Sequence, residues 1–376
     1  MPAILAFIIV AISVIAITYK TYMGYGNYHW GIKIGFFMFI TFGWCAPFIA
    51  FYLRHNYSSN GLIYLSKGLY FIFGFVFFLF AITLIRDTIW VLSDAIRRVS
   101  VDNMKEAQLL HKANIITLIF SLLVSFYAVY EAEKDATIKN YTIASAKVKE
   151  PTKVVMLSDL HIDADVSKEY VKKIVDRVNA LKPDAVVLVG DIVDNTPYYL
   201  YKQLEELKKL ETKYGVYLTL GNHEFYNGPM DWMMKFGSLR FNVLNNYGMR
   251  LGETGIYIAG IPDINAATQN QMKIKFKDSV AKSQDGDYVI LLSHTPKLAE
   301  DVSSENVDLQ LSGHTHGGQI YPFHYFTEQA NNGMLAGFYK PEGVNLYVSR
   351  GTRYWGPQMR LFAPSEITVF NFEPKK

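Results

Sequence analysis

A single cysteine, Cys45, stands in a chain of 376 residues. One thiol can form neither an intrachain disulfide nor a thiolate metal cage, so disulfide scaffolds and zinc ribbons are excluded and compartment cannot be read from cysteine usage. Net charge is scarce as well. Against 37 Lys and Arg stand 34 Asp and Glu, and the resulting +3 is too small for the basic footprint of a nucleic-acid binder, so no nucleic-acid partner is predicted. Internal repeats and low-complexity tracts are lacking too. Charge is thinnest from residue 1 to about 131, where it occurs only in short patches, whereas the remainder carries ordinary Lys, Glu and Asp.

The uncharged part holds four apolar runs, Met1 to Tyr19, Ile34 to Leu53, Gly68 to Ile85 and Ala113 to Tyr130, none with an ionisable side chain. Each is about 18 to 20 residues, enough at a helical rise to cross roughly 30 Å of hydrocarbon. A transmembrane region of about four helices over residues 1–131 is the expectation. The first run lacks the basic flank of a signal peptide. A transport pathway is disfavoured because such cavities carry intramembrane Asp, Glu, Arg or His. Pro47 is expected to kink the second helix. Between the third and fourth runs, Arg86 to Lys112 reads as an interfacial amphipathic helix or a solvated loop helix, with Ile89, Leu92, Ile96 and Val99 at helical spacing.

Residues 132–150 are polar and short of pattern, which fits a linker, and a second domain over 151–376 follows. There the periodicity changes. Strands are predicted at Lys153–Ser158, Ala185–Gly190 and Val216–Leu220, with helices over Lys168–Leu181 and about Tyr198 to Tyr214 between them. That alternation predicts an α/β fold with a mainly parallel sheet. Further strands at Ile256–Ile261, Tyr288–Ser293, Leu309–Ser312, Asn345–Ser349 and Ile367–Phe372 have fewer helices between them and predict a second, more mixed sheet.

Nearly every predicted strand end carries a metal-type residue. The first leads into Asp159-Leu160-His161, the second into Gly190-Asp191-Ile192-Val193-Asp194 and the third into Gly221-Asn222-His223-Glu224. Tyr288–Ser293 delivers His294, and Leu309–Ser312 delivers Gly313-His314-Thr315-His316-Gly317-Gly318-Gln319. On extended chain, residues two apart point the same way, so Asp159 with His161, and His314 with His316, are expected to share a face. Any one of these is ordinary: an Asp after a strand is commonly a turn or a helix cap. Five of nine histidines in such motifs is not, and ligands in α/β folds gather where strands end.

The ordered series Asp159-x-His161, Gly190-Asp191-x-x-Asp194, Gly221-Asn222-His223-Glu224, His294 and Gly313-His314-x-His316 resembles the calcineurin-like metallophosphoesterase family. Leu291–Pro296, Gly317-Gly318-Gln319 and Val348–Gly351 resemble its membrane-associated bacterial branch. The resemblance covers about 153 to 372 and implies a double β-sandwich flanked by helices. It further implies that Asp159, His161, Asp191 and His316 hold one metal, and that Asp191, Asn222, His294 and His314 hold the other. His223 would protonate the leaving oxygen, with Asp194 orienting it or, equally simply, capping a helix. The donor set of imidazole, carboxylate and amide without sulfur favours two divalent transition-metal ions, Mn, Fe or Zn. A metal-bridged hydroxide would then attack a phosphodiester or pyrophosphate. Arg350 and Arg360 are candidate phosphate clamps, or surface ion pairs. Two departures stand out: Asn195 where the family's protein phosphatases carry Arg, and Glu224 in place of the commoner Asp.

The tether to apolar spans favours a lipid-linked or membrane-proximal phosphoester as substrate. A broad phosphodiesterase or phosphatase on soluble substrates is the alternative, and a metal-binding membrane scaffold is the non-enzymatic one. For topology, Lys20, Lys33, Arg86, Arg97, Arg98, Lys105 and Lys112 lie in the first and third loops, against Arg54 and Lys67 in the second. The positive-inside tendency then puts the C-terminal domain outside the cytoplasm, although five lysines from Lys134 to Lys153 pull the other way.

Overall fold

The computed structural model describes residues 2–24, 28–56, 60–97, 103–302 and 307–375. The chain divides into two compact units, Met1–Glu133 with Gly356–Met359, and Lys134–Trp355 with Arg360–Lys376.

The first unit consists of helices α1 (Pro2–Met23), α2 (Trp30–Asn56), α3 (Asn60–Arg97) and α4 (Asn103–Glu133). Among the described residues, three segments are long and apolar enough to cross a membrane: Trp30–Arg54, Gly61–Ser93 and Gln108–Glu133. In α1 the described apolar stretch is the shorter Ile9–Met23. Large apolar side chains such as Met38, Phe48, Ile116, Leu123 and Phe126 are exposed on these helices. In water that much apolar surface would drive aggregation; against lipid tails it costs nothing. The unit is that of a membrane protein.

The sequence places a separate amphipathic helix between the third and fourth runs, and the structure does not. Helix α3 runs unbroken through Arg86 to Arg97, and α4 begins again at Asn103; Val99 lies outside the described residues. The continuation is held by a polar cluster within the helical unit. Arg86 donates to Asn114 Oδ1 at 2.8 Å and Thr117 Oγ1 at 3.0 Å and pairs with Asp87 at 2.7 Å, while Thr21 donates to Asp87 at 3.2 Å. The third apolar segment therefore includes one charged pair, satisfied internally. Helix α2 contains Pro47 and continues through it.

Twelve strands build the second unit: β1 (Thr137–Ser145), β2 (Thr152–Leu157), β3 (Ala185–Val189), β4 (Val216–Thr219), β5 (Asn242–Val243), β6 (Tyr247–Arg250), β7 (Ile256–Ile261), β8 (Tyr288–Ser293), β9 (Leu309–Ser312), β10 (Gly337–Tyr339), β11 (Asn345–Val348) and β12 (Glu366–Pro374). They form two six-stranded sheets, ordered β1-β12-β2-β3-β4-β5 and β10-β11-β9-β8-β7-β6. In the first, only the β12–β2 pair is antiparallel; in the second, the β10–β11 and β6–β7 pairs are.

The period of two in each strand dictates the layers. Val154 and Met156 of β2 and Val187 of β3 point inward against Ile258, Ile290, Leu292 and Leu311 of the other sheet. Val155, Leu157, Val186 and Leu188 point outward onto helix α5 (Lys168–Ala180), whose Val171, Ile174, Val175 and Val178 recur on one face. Each such side chain contributes about 1.5–3 kcal/mol on burial. On the far face of the second sheet, Tyr257, Ala259, Val289 and Leu291 form a third apolar layer.

Within the stretch 132–150, read as a linker, Thr137–Ser145 form strand β1. It pairs in parallel with β12 from Thr137–Glu366 to Ser145–Pro374. As an edge strand it is only half buried, so its sequence lacks the apolar run that marks the central strands. The helix expected from about Tyr198 to Tyr214 is also shorter, α6 at Tyr201–Leu207.

Candidate metal centre

In both sheets the central parallel strands end on the same chemistry. β2, β3 and β4 run into Asp159–His161, Asp191–Asp194 and Asn222–Glu224; β8 and β9 run into His294 and His314–His316; β11 runs into Ser349–Arg353. The residues are not on extended chain. Asp159, His161, Asp191, His314 and His316 all have positive φ, between 42° and 71°, a conformation that costs a non-glycine residue of order 1–3 kcal/mol. The crossing loops hold it: His161 N–H donates to Asp191 O at 3.0 Å, Ile162 N–H to Ile192 O at 2.9 Å and Asp194 N–H to Ile162 O at 2.9 Å.

Strain changes the pairing predicted from spacing. Asp159 and His161 still share a cluster, but His314 and His316 part company because Thr315 between them is helical in backbone angle. His316 joins Asp159 and His161, while His314 joins Asp191 and His294. Nε2 of His316 lies 3.5 Å from Asp159 Oδ1 and 3.0 Å from Nε2 of His161. Nε2 of His294 lies 3.0 Å from Asp191 Oδ2, and His161 Nε2 lies 3.9 Å from the same oxygen. Asp191 thus faces both clusters.

The donors fit cations. Nδ1 of His294 faces the Val189 carbonyl at 2.9 Å, and Nδ1 of His316 faces the Arg353 carbonyl at 3.1 Å. A carbonyl only accepts, so Nδ1 of His294 carries a proton, and its Nε2 faces Asp191; burial opposes charge on the ring, but that carboxylate pushes His294 up to about 10. His161 Nδ1 is likewise taken, at 2.7 Å from Asp194 Oδ1. Two ring nitrogens 3.0 Å apart, and a ring nitrogen 3.0 Å from a carboxylate oxygen, each need a cation or a proton between them. Asn222 Oδ1 and His294 Nε2 are buried without a hydrogen-bond partner, as atoms reserved for a ligand would be. Burial opposes the charge of Asp191, yet His294 and His223 around it hold its carboxyl well below the usual range. Burial, reinforced by the neighbouring His161, keeps His316 neutral.

Between the two clusters sits His223. Its Nδ1 lies 2.8 Å from Asp194 Oδ1, and its Nε2 lies 3.8 Å from Asp191 Oδ2. Burial disfavours its charged form, but the carboxylates of Asp191 and Asp194 outweigh that and push His223 up to about 9. Asp194 caps no helix here. One of its oxygens receives both His161 and His223, so it fixes a ligand-type ring and a free ring at once.

Two residues with a structural hand in the centre carry weak sequence signals. Glu224 is fully buried and accepts backbone N–H groups from Gly221 at 2.7 Å, Asp191 at 3.1 Å, Ile192 at 2.7 Å and Val193 at 3.1 Å, stitching the β3 loop to the β4 loop. Burial and the adjacent Asp191 push its carboxyl up to about 8, against the pull of those N–H donors. Its signal was its position, three residues into a short helix α7 (Asn222–Tyr226) that opens on Gly221. Arg353 is buried, donates to His161 O at 3.0 Å and stacks on Tyr354; nothing in its spacing marks it.

The two predicted phosphate clamps differ. Arg350 is half-buried and pairs with Glu366 at 3.2 Å. Arg360 has no exposed surface: its Nη atoms donate to the carbonyls of His316, Ala363, Arg350 and Arg353. Its Nη atoms are taken by carbonyls and its Nε is buried without a partner, so no exposed face of the guanidinium is left for a phosphate. Arg360 braces the backbone of His316 instead.

The family model for calcineurin-like phosphoesterases matches residues 152–318. A metallophosphoesterase of Campylobacter jejuni is 34% identical over 268 residues, covering 69% of this chain and 69% of that one. One of Helicobacter pylori is 34% identical over 248 residues, 65% of this chain and 66% of the other. A Bos taurus transmembrane protein with a metallophosphoesterase domain is 34% identical over 230 residues, 57% of this chain and 52% of that protein. The chain thus spans about two thirds of the length of these bacterial relatives. By this kinship, and by the histidine and carboxylate clusters at its strand ends, the chain belongs to the calcineurin-like phosphoesterase family as a metal-dependent phosphoesterase.

Proposed function

We propose that the protein hydrolyses a phosphodiester or pyrophosphate that is lipid-linked or held at the membrane surface, using two divalent transition-metal ions of the Mn, Fe or Zn class. Asp159, His161, Asp191 and His316 would hold one ion, and Asp191, Asn222, His294 and His314 the other. The observation that carries this reading is the pair of facing imidazole and carboxylate donor sets that share Asp191, with His223 between them. Bound there, such ions acidify water and offset phosphoryl charge.

The chain's own residues supply the rest. Asp194 receives His223 Nδ1–H and leaves Nε2 as the end that meets substrate. Held protonated by its two carboxylate neighbours, His223 donates from Nε2 to the departing oxygen. Burial of Asp159, Asp191 and His294 keeps water from competing for their donor atoms. The lipid-linked substrate is supported by the covalent tie to a helical unit with exposed apolar faces.

Elemental analysis of the purified full-length protein should find close to two transition-metal ions per chain, and Asp191→Asn should disturb both. Turnover by the Mn-loaded protein should be faster on a lipid pyrophosphate than on a panel of soluble diesters. One ion per chain would overturn the dinuclear reading, and preference for the soluble panel would overturn the lipid-linked one.

A further inference from the structure

Two large aromatic side chains lie open to solvent against the His223 ring. Trp355 is 46% exposed and Tyr226 66% exposed. Their ring centroids stand 5.5 Å and 5.2 Å from that of His223, both edge-to-face. Trp355 also stands 6.5 Å from the ring of His161.

The main chain that carries the indole is held. The Trp355 backbone N–H donates to Gln319 Oε1 at 2.9 Å, and Gln319 Nε2–H donates to Trp355 O at 2.8 Å, so one side-chain amide grips both main-chain polar atoms of that residue. Gln319 does this at φ 45° and ψ −55°, outside the regions that non-glycine residues favour. The loop before it packs closely: a Cβ on Gly318 would meet His324 Cβ at 2.3 Å, and one on Gly317 would meet Arg350 Cγ at 2.8 Å. Tyr226 is fixed as well, its hydroxyl receiving Asn222 Nδ2–H at 3.2 Å. A ring that merely buttressed His223 would gain by burial. These two remain exposed, clamped beside the proton donor.

We propose that Trp355 and Tyr226 form an aromatic platform that takes a ring or flat apolar surface on the organic group leaving from phosphorus, and that Gln319 is the positioning residue for Trp355. This deepens the reading above, since it rests on His223 facing the leaving oxygen. It makes the enzyme selective for esters of ring-bearing alcohols over small alkyl esters.

The test uses full-length, Mn(II)-loaded protein and two probes of equal charge, the benzyl and methyl monoesters of methylphosphonate, with binding followed by titration calorimetry. Stacking of one ring should make the benzyl ester bind roughly 2- to 10-fold more tightly. Trp355→Ala should remove that preference and leave the affinity for the methyl ester and the metal content unchanged; Trp355→Phe should restore most of it. Gln319→Ala and Tyr226→Ala should each reduce it, which keeps the test alive if Trp355→Ala does not fold. In turnover of benzyl and methyl phosphodiesters, whose alcohols have closely matched acidity, Trp355→Ala should raise KM for the benzyl substrate alone. Equal affinities in the wild type, or an equal loss for both probes, overturns the platform, as does a fall in kcat without a change in KM. Ring preference without turnover of any diester leaves the platform standing and overturns the hydrolase reading; turnover without ring preference does the reverse.

Discussion

Asp194 Oδ1 serves two rings, and that shared atom separates the roles of the residues around it. Asp194→Asn replaces an acceptor for two N–H groups with a group that can also donate, so both rings lose their fixed tautomer. Activity should fall about 10- to 100-fold, as loss of a ligand's orienting partner commonly costs, and metal affinity should fall with it because His161 is freed. His223→Ala should instead keep its metal and lose roughly 10²- to 10⁴-fold in rate. That loss should shrink for a nitrophenolate leaving group, which needs little protonation, whereas His294→Ala should lose metal outright. Rates against a leaving-group series, read beside elemental analysis, check all three; an equal loss across leaving groups in His223→Ala would remove it as the acid.

At the scale of elements, the centre depends on two strand-end loops being pressed together. Gly221 has an ordinary φ of −89°, so its need for glycine is steric alone: a Cβ there would stand 2.2 Å from Asp191 Oδ1 and 2.4 Å from Asp191 N. Gly221→Ala should displace Asp191, empty both clusters of metal and cost about 1–3 kcal/mol by overpacking. Gly190 needs glycine twice over, with φ 74° and a would-be Cβ 2.5 Å from His294 Nδ1. Gly286→Ala isolates the cost of positive φ alone, since nothing lies near its would-be Cβ. The same junction is tied by Glu224. Glu224→Gln turns an NH₂ group toward two of the four backbone N–H donors, and each one left unpaired costs about 1–3 kcal/mol. Thermal melts and metal content should fall together in Gly221→Ala and Glu224→Gln; a loss of melting temperature with full metal occupancy would show that the junction supports the fold and not the centre.

At the scale of the whole molecule, the helical unit and the catalytic unit are continuous in chain, α4 ending at Glu133 and β1 opening at Thr137. Topology therefore decides where the chemistry takes place. Helix α3 takes Arg86 and Arg97 out of the loop that follows it and Lys67 out of the loop before it, so the positive-inside count becomes five against one and keeps its sign. The catalytic unit is expected outside the cytoplasm. Alkaline phosphatase fused after the last residue of the intact chain should be active and a fluorescent protein in the same place dark; the opposite pair of results would put the unit in the cytoplasm.

The sequence alone determined the membrane region, the alternation of strands and helices and the identity of the clustered residues. Apolar runs, a period of two and strand-end motifs are local properties, and in β7, β8 and β9 they matched the structure end to end. What only the tertiary structure decided concerns edges, partners and strain. Strand β1 is half buried and so had no apolar run to announce it. Arg360 looks like a surface cation until four carbonyls close around it. His314 and His316 were assigned one face on the premise of extended chain, and a helical Thr315 between two histidines of positive φ sent them to different clusters. Spacing along a chain predicts direction only while the backbone is regular, and at this centre the contacts that hold the loops in place make it irregular.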